Sequence, residues 1–512
     1  MAAFRKINRY VWIALLGIIA SFAINQANLN ILRNHEDADV LLRENQTIST
    51  ADDASYLRPA QNFLAGEGWK TADAGRQSYF LRTPGYGLIW FFMLTTFGAN
   101  ALTALKIFQV LLFGLSVYLL GHSMQLLQIP EKIILPAILF YSISPFFHGF
   151  LFYTLTEGVS PQLTVFFVFL LLKAHCESKP GTAFRFILLA ALLLGFMIIL
   201  RPALGIWLPA LFFILWIKIK TLHRLKLQTL TIVFLLSLMP LLSWQLRNFI
   251  ITGTYTGLHP VYFPEQTGVF RPTHKAAWSF FKGWGTTGEQ FHSIMVPFWE
   301  ANIDGRPDTA ESENIIRQIP TEFYDRNQEK IHETLTYFRN AIINQREYYE
   351  QGKPMPMPLH PDENRAIENF RELTRAYRNH DPLRYYLLAP VDVLGEMILH
   401  SNLSLYMFQH TFRGKPAMEA LRLLMAAFHI LLFAGIIFLI FSRKPLYLKM
   451  LLAYTPLLWI LYLAFIQRGI EERYMLPFLP VMLVGLVFSL LPDWRDGTLQ
   501  KPGGYIRKFV NC

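Results

Sequence analysis

Two adjacent carboxylates, Asp52 and Asp53, stand at the start of a short polar segment that is closed by Gly66 and Gly68. A helix over this segment would place Asp52 and Tyr56 on one face, because they are four residues apart. A carboxylate that is sheltered and within hydrogen-bond reach can take a proton from a hydroxyl group. The segment is therefore the first candidate for a catalytic site, with Asp52 and Asp53 as candidate catalytic residues.

Helix capping is the alternative role for the same pair. Ser49-x-x-Asp52 and Thr50-x-x-Asp53 both match the pattern of a helix start. An acidic side chain there satisfies backbone N–H groups that have no partner and favours the helix dipole. The spacing alone fits capping as well as catalysis.

Four arginines are candidates for a second part of the site. Arg201, Arg247 and Arg473 each stand at one end of a long apolar run, and Arg82 follows Asp52 in the same polar interval. Guanidinium groups pair bidentately with phosphate, and a lipid phosphate would lie at the depth of such helix ends. For any single arginine, snorkelling to lipid headgroups explains the position equally well.

A base beside an anion-binding cluster suits one class of reaction. A sugar carried on a lipid phosphate already has a good leaving group, so strong general acid assistance is unnecessary. One carboxylate deprotonates the attacking hydroxyl, and the arginines stabilise the departing phosphate. The expected reaction is a single displacement with inversion. Glu157, which follows Thr154 and Thr156, is either an acceptor-binding residue or an N-terminal helix charge.

Composition places these residues in a membrane protein. Of 512 residues, 53% are hydrophobic and 15% aromatic, with long runs that carry no charge. Only a multi-span membrane protein explains such runs. The net charge of +11 comes mostly from lysines and arginines in short loops between apolar segments, which is the positive-inside pattern. No basic helix of a nucleic-acid-binding type is found, so membrane lipid, and not nucleic acid, is the expected partner.

Cysteine and histidine usage argues against metal and disulfide chemistry. Only Cys176 and Cys512 occur, which excludes a disulfide framework and a thiolate zinc site. The fourteen histidines show no H-E-x-x-H motif and no paired ligand spacing. No cofactor and no metal site is predicted, although a divalent metal ion stays open.

The hydropathy pattern predicts an all-α polytopic membrane protein with about ten spans and cytoplasmic termini. The N-terminal apolar run has no convincing cleavage site and is interpreted as an uncleaved first span. The apolar piece 86–97 is too short to cross and is predicted to be interfacial or re-entrant. The predicted spans are 10–29, 101–124, 131–152, 158–174, 184–200, 203–217, 228–247, 420–441, 449–466 and 474–491.

Three regions follow from these spans. Residues 1–250 form an N-terminal transmembrane module whose first outer loop, 30–100, carries the acidic pair. Residues 251–419 form a mostly helical extracytoplasmic region, and 420–512 hold the C-terminal spans and a cytoplasmic tail. The stretch 386–408 could cross the membrane, but crossing would place basic residues outside, so it is assigned to the outer surface.

Within the outer region, Asn327–Glu350 is predicted to be an amphipathic helix. Its apolar side chains at helical spacing are Ile331, Leu335, Phe338 and Ile342. Residues 353–358, which alternate proline with methionine, are predicted to be a stiff linker. Gly283-Trp-Gly285-Thr-Thr-Gly288 matches the dinucleotide-binding G-x-G-x-x-G pattern, but it has no βαβ context and is interpreted as a glycine turn beside aromatics.

The motif Asp52-Asp53-Ala-Ser-Tyr56, followed by Arg82-Thr-Pro84-Gly85-Tyr86, resembles the GT-C superfamily of membrane glycosyltransferases. The resemblance is closest to the bacterial protein-mannosyltransferase-like and aminoarabinose-transferase-like branch. It covers the membrane part, about two thirds of the chain, and leaves 260–400 without a match. Further similar pieces are Arg201-Pro202, Trp244-Gln-Leu-Arg247-Asn248 and Glu472-Arg473-Tyr474-Met-Leu-Pro477.

This resemblance implies a GT-C-like helical bundle in the bacterial plasma membrane, with an active site on the extracytoplasmic face. It implies a polyprenyl-phosphate sugar donor, a lipid, glycan or protein acceptor, and no required metal. The first acid of the pair, the catalytic aspartate of the family, matches Asp52. The tyrosines of the matching motifs are candidates for substrate binding, namely Tyr56, Tyr86 and Tyr474.

Two departures and two competing classes accompany this expectation. Asp53 stands where many relatives carry glutamate, and Arg82 stands one place earlier than the family's basic residue. A transporter or flippase for a lipid-linked substrate is one alternative, but it would place ionisable groups near the bilayer midplane. A polymerase or ligase for polyprenyl-linked glycans is the other, and it would not need the acidic pair.

Overall fold

The computed structural model describes residues 9–33, 42–43, 47–50, 52–70, 82–222, 227–252, 271–351, 359–399, 415–468 and 472–491. Within these ranges the protein is helical and contains no β-strand, only isolated bridges that join Ile48 to Leu42 and to Tyr153. The predicted linker at 353–358 lies outside the described residues.

The N-terminal half is built from nine helices of ten residues or more within the described ranges. They are α1 (Arg9–Leu32), α2 (Asp53–Leu64), α3 (Gly85–Phe97), α4 (Ala101–Leu126), α5 (Glu131–Ile143), α6 (Ser160–Cys176), α7 (Pro180–Leu200), α8 (Leu208–Leu222) and α9 (Leu227–Thr252). Short 3₁₀ turns at Thr156–Gly158 and Pro202–Trp207 precede α6 and α8.

The C-terminal half continues with amphipathic helices and then returns to apolar ones. They are α10 (Pro272–Phe281), α11 (Gly288–Asp304), α12 (Thr309–Arg317), α13 (Thr321–Glu350), α14 (Pro361–His380), α15 (Ala389–Leu399), α16 (Pro416–Phe441), α17 (Leu446–Gln467) and α18 (Leu479–Ser489). The helix α17 contains π-helical turns at Met450–Tyr454 and Tyr462–Gln467.

Seven segments of the described chain are long and apolar enough to cross a membrane, so the protein is an all-α membrane protein. They are Arg9–Asn30, Gly85–Leu126, Pro180–Leu200, Pro202–Lys220, Gln228–Ile251, Glu419–Phe441 and Leu446–Gln467. The helices α6 and α18 are apolar but shorter. The predicted count of ten spans is not confirmed.

The predicted span 131–152 is not one helix. The helix α5 ends at Ile143, and Ser144 is extended (ψ 126°) before a four-residue helix that begins at Pro145. A proline disfavours the helical conformation of the residue before it, so the Ser144-Pro145 step ends the helix. The piece predicted at 86–97 is a separate helix, since α3 ends at Phe97 and the next residue, Gly98, has a positive φ (53°), but its interfacial placement stays a prediction.

The helices between Pro272 and His380 have a hydrophobic core of their own. The predicted amphipathic helix is confirmed as the larger part of α13, which bends at Asn327 (φ −127°). Its four predicted apolar residues are all buried in this core. The glycine-rich motif is confirmed as a turn beside aromatics: Gly285 is left-handed (φ 102°), and Gly283 packs against Tyr377 and Tyr385.

Candidate active site

The Asp52 side chain is held by two arginines. It precedes α2 but makes no capping hydrogen bond to the helix, so the capping alternative does not describe its carboxylate. One oxygen pairs with Arg82, and the other accepts from Nη2 of Arg473 at 3.1 Å. The side chain is 24% exposed, so an acceptor hydroxyl can reach it. Asp52 thus combines a proton acceptor with two phosphate-type donors.

Arg82 joins Asp52 to Tyr56, as the four-residue spacing predicts. Nη1 of Arg82 donates to the Tyr56 hydroxyl at 2.7 Å, and the guanidinium lies 4.7 Å from the centre of the tyrosine ring. Burial raises the pKa of Tyr56, so its hydroxyl stays protonated at neutral pH. The Tyr56 side chain is therefore an uncharged part of the site, and it orients Arg82.

The second acid has different surroundings. The Asp53 side chain is almost buried and accepts hydrogen bonds from Ser49 at 2.8 Å, from Thr50 at 3.3 Å and from Thr154. It also pairs with Arg43. A carboxylate offers about four lone-pair positions, so these donors saturate it. This arrangement favours a positioning role for Asp53, which fixes the start of α2 against the segment before α6.

Glu157 is the second carboxylate of the arginine network. It is 5% exposed and accepts from Nη1 of Arg201 at 2.8 Å and from the Thr156 hydroxyl at 3.0 Å. Nε of Arg473 lies 3.8 Å from the same Glu157 oxygen that binds Arg201. The described partners of Glu157 are these side chains and not the backbone N–H groups of α6. Arg473 therefore bridges Asp52 and Glu157.

The charged side chains around Asp52 and those around Glu157 form one line of alternating charge. It runs Arg82, Asp52, Arg473, Glu157 and Arg201, and Arg201 lies 5.3 Å from the ring centre of Tyr474. When the adjoining Arg43–Asp53 pair is included, four guanidinium groups face three carboxylates, which leaves one positive charge. A net positive cluster suits a phosphodiester anion.

Arg247 is placed differently from the other predicted arginines. Its Nη2 donates to the Trp69 carbonyl at 2.8 Å, and its Nη1 donates to the neighbouring Asn248 at 2.9 Å. Its guanidinium also lies 4.8 Å from the ring centre of Trp244. Among the described residues, these contacts tie the end of α9 to the turn after α2. The structure therefore does not bring Arg247 into the line of charge.

Tyr86 lies beneath the site. It is fully buried, its ring centre is 5.4 Å from that of Tyr56, and its hydroxyl donates to Gln109 at 3.1 Å. Gln109 donates in turn to the carbonyls of Leu151 at 2.7 Å and Tyr153 at 3.2 Å. Because Tyr86 is enclosed, it supports Tyr56 from within and does not face a substrate.

Three residues outside the predicted set belong to this framework: Arg43, Gln109 and Thr154. A cation in the predicted first outer loop is disfavoured by the positive-inside pattern, which marks Arg43. A glutamine inside the apolar helix α4 is an equally visible signal. Thr154 carries no signal in the sequence, since a threonine before a helix is ordinary.

Close packing of α3 on α7 brings the two arginine-bearing segments together. A Cβ at Gly85 would overlap the backbone of Leu200, the residue before Arg201. Only glycine permits this approach at the start of α3. A larger residue would push apart the backbones of α3 and α7, and Arg82 stands only three residues before Gly85. The Thr-Pro-Gly step thus contributes directly to the geometry of the site.

The arrangement can bind an anion and accept a proton at adjacent points. No group of three histidine, cysteine, aspartate or glutamate side chains that could hold a metal ion occurs in the described part of the chain. Comparison with protein-family models, with curated proteins and with solved structures finds no match for this chain.

Proposed function

We propose that the protein is an integral-membrane glycosyltransferase. It would move a sugar from a polyprenyl-phosphate donor to an acceptor hydroxyl of a lipid, a cell-envelope glycan or a protein. The reaction would take place on the extracytoplasmic face of the bacterial plasma membrane. The observation that carries the proposal is the contact of Asp52 with both Arg82 and Arg473, which also reaches Glu157.

The proposed reaction uses Asp52 as a general base. The acceptor oxygen attacks the anomeric carbon, the bond from that carbon to the phosphate oxygen breaks, and the acceptor proton passes to Asp52. Polyprenyl phosphate leaves as an anion beside Arg82 and Arg473, and the anomeric configuration inverts. A guanidinium has five N–H donors, so each arginine can hold Asp52 and a phosphate oxygen together. No metal ion is required for these steps.

Glu157 and Arg201 would extend the anion-binding site formed by Arg82 and Arg473. Arg201 is oriented by the buried Glu157 carboxylate and lies beside the Tyr474 ring. An arginine oriented in this way is prepared for phosphate before the substrate arrives, which reduces the entropic cost of binding. Glu157 would then fix the two arginines, and the tyrosine ring would face the donor.

The charged cluster favours this reaction over transport. Transporters and flippases place ionisable residues near the bilayer midplane. Here the clustered charges lie at the ends of apolar helices and in the segments that precede them. A polymerase or ligase for polyprenyl-linked glycans would use outer arginines, but it gives no role to a carboxylate held between two of them.

Donor binding provides the test. Arg473→Ala removes one charged contact to phosphate, a loss of about 1.5–3 kcal/mol. We therefore expect the Kd for polyprenyl phosphate, measured with purified protein in nanodiscs, to rise about tenfold or more. The matched control is Arg317→Ala, since Arg317 is exposed and pairs only with Glu313 among the described residues. Equal affinity of both variants would refute the phosphate pocket.

A further inference from the structure

A second group of cations lies where α10 and α14 meet the end of α17. Arg378 of α14 and Arg468 after α17 both lie over the ring of Tyr385, and Lys282 after α10 lies near Arg468. The guanidinium carbon of Arg468 lies 4.3 Å from the Tyr385 ring centre, and that of Arg378 lies 5.4 Å from it. Nζ of Lys282 donates to the carbonyl of Ile466, at the end of α17, at 3.3 Å. Three positive groups from separate parts of the chain therefore lie near one another, two of them on one tyrosine.

These cations have no counter-charge within the described residues. No carboxylate there forms an ion pair with Lys282, Arg378 or Arg468. The neighbouring Arg384 differs, because it pairs with Asp392 at 2.7 Å. Cationic side chains that are taken out of water are normally paired, since an unpaired buried charge is costly. A missing anion would explain the arrangement.

Arg468 supplies the most specific observation. It is only 6% exposed, and its Nε donates to the Phe465 carbonyl at 3.2 Å, while its Nη1 has no hydrogen-bond partner among the residues that the structure describes. Nε of Arg378 is also buried and has no hydrogen-bond partner in the described part of the chain. Arg468 adopts a left-handed backbone (φ 55°), which is unfavourable for a residue other than glycine. The chain thus accepts a charge cost and a backbone cost at one position, as expected where a ligand supplies the missing interactions.

Lys282 contributes its charge at neutral pH. Burial and the nearby Arg468 lower the pKa of Lys282 to about 8. The ammonium group is therefore still mainly protonated at pH 7, so all three cations are charged. The attraction of an anion bound between them would offset their mutual repulsion.

We propose that Lys282, Arg378 and Arg468 form a second anion site that binds a phosphate group. Guanidinium and ammonium groups in this number match the oxygens of a phosphate. The site adjoins the last turn of an apolar helix, the depth at which a lipid phosphate lies, and a phosphate of a water-soluble molecule carries the same chemistry. The site shares no described contact with Asp52, Arg82 or Glu157, so it does not depend on the proposed sugar transfer.

Thermal unfolding of the full-length protein tests this site. Sodium phosphate is compared with sodium chloride at equal ionic strength, with the protein in detergent. All variants carry Arg473→Gln, which weakens phosphate binding at the line of charge and gives every variant the same background. We expect phosphate to raise the Tm of this background protein, and Arg378→Gln and Lys282→Gln to abolish the rise. Arg375→Gln, an exposed arginine one turn before Arg378, is the matched control and should keep it.

A second arm identifies the source of the phosphate. The same proteins are placed in nanodiscs of phosphatidylglycerol or of phosphatidylcholine, and the apparent Kd for inorganic phosphate is measured in detergent. If phosphatidylglycerol alone stabilises the protein, and the variants lose this stabilisation, the ligand is a lipid headgroup. If the protein binds inorganic phosphate, and the variants bind it about tenfold more weakly, the ligand is soluble. Arg468→Gln should reproduce either result. If Arg378→Gln and Lys282→Gln match Arg375→Gln in both arms, there is no second anion site.

Discussion

Replacing Asp52 by asparagine separates its chemistry from its structure. Asparagine keeps the shape and one carbonyl oxygen, but it loses the charge and the ability to accept a proton at neutral pH. Loss of a general base typically lowers the rate by about 10²–10⁴-fold. The two ion pairs of Asp52 are partly exposed, at 24%, and solvent screens them, so their loss should cost only about 1–2 kcal/mol of stability. We therefore expect a folded and inactive protein.

The assay follows consumption of the donor. Membranes that contain each variant at equal abundance are incubated with lipid extract from cells that lack the gene, and mass spectrometry follows the polyprenyl-phosphate sugar over time. Glu67→Gln is the matched control, because Glu67 lies in the same segment and pairs with Lys70 at 3.6 Å. Donor consumption by Asp52→Asn at the rate of Glu67→Gln would refute the role of Asp52 as base.

Three further substitutions test the framework, each by thermal unfolding of the purified protein together with the same transfer assay. Asp53→Asn removes a charge that several donors share and should cost about 1–3 kcal/mol while the folded fraction keeps transferring sugar; an unaltered Tm would contradict the positioning role. Gly85→Ala drives a methyl group into the backbone of Leu200, should cost about 1–3 kcal/mol, and should slow transfer because Arg82 moves; normal transfer would contradict this packing. Phe338→Ala removes a fully buried ring from the hydrophobic core between Ala276 and Tyr377 and should lower the free energy of unfolding by about 3–5 kcal/mol. A loss below about 1.5 kcal/mol, the range typical of Ile→Val substitutions, would contradict its burial.

Helix positions were the most predictable part of the fold. The predicted spans 101–124 and 228–247 coincide closely with Ala101–Leu126 and Leu227–Thr252, because long apolar runs have few alternatives to helix in a membrane. The prediction for 131–152 failed at Ser144-Pro145, where local backbone sterics outweigh hydropathy. That proline was visible in the sequence, so the error was one of interpretation.

The candidate site was predictable only in its local part. The spacing of Asp52 and Tyr56 correctly places them around Arg82, because four-residue spacing fixes a shared helix face. Arg473 reaches Asp52 from 421 positions away, and no local pattern encodes that contact. Arg247 was expected in the same cluster because it also lies near a helix end, but its Nη2 donates to the Trp69 carbonyl, a contact that no local pattern encodes.

The cations around Tyr385 were missed for a related reason. None of the three has a motif or a spacing in the sequence that sets it apart from other loop and helix charges. Their lack of counter-charges emerges only when α14, the turn after α10 and the end of α17 come together. Tertiary packing, and not residue type, creates this group.

Transfer of the sugar from polyprenyl phosphate should depend on Asp52 as the general base. The most direct measurement is mass spectrometry of the lipid and glycan fractions of cells that lack the gene, complemented with the wild-type chain or with Asp52→Asn. We expect the wild-type chain to consume a polyprenyl-phosphate sugar and to restore one product, which is larger than its acceptor by that sugar. Asp52→Asn should leave the donor accumulated and the product missing. Identical lipid and glycan profiles in the two complemented strains would contradict the account.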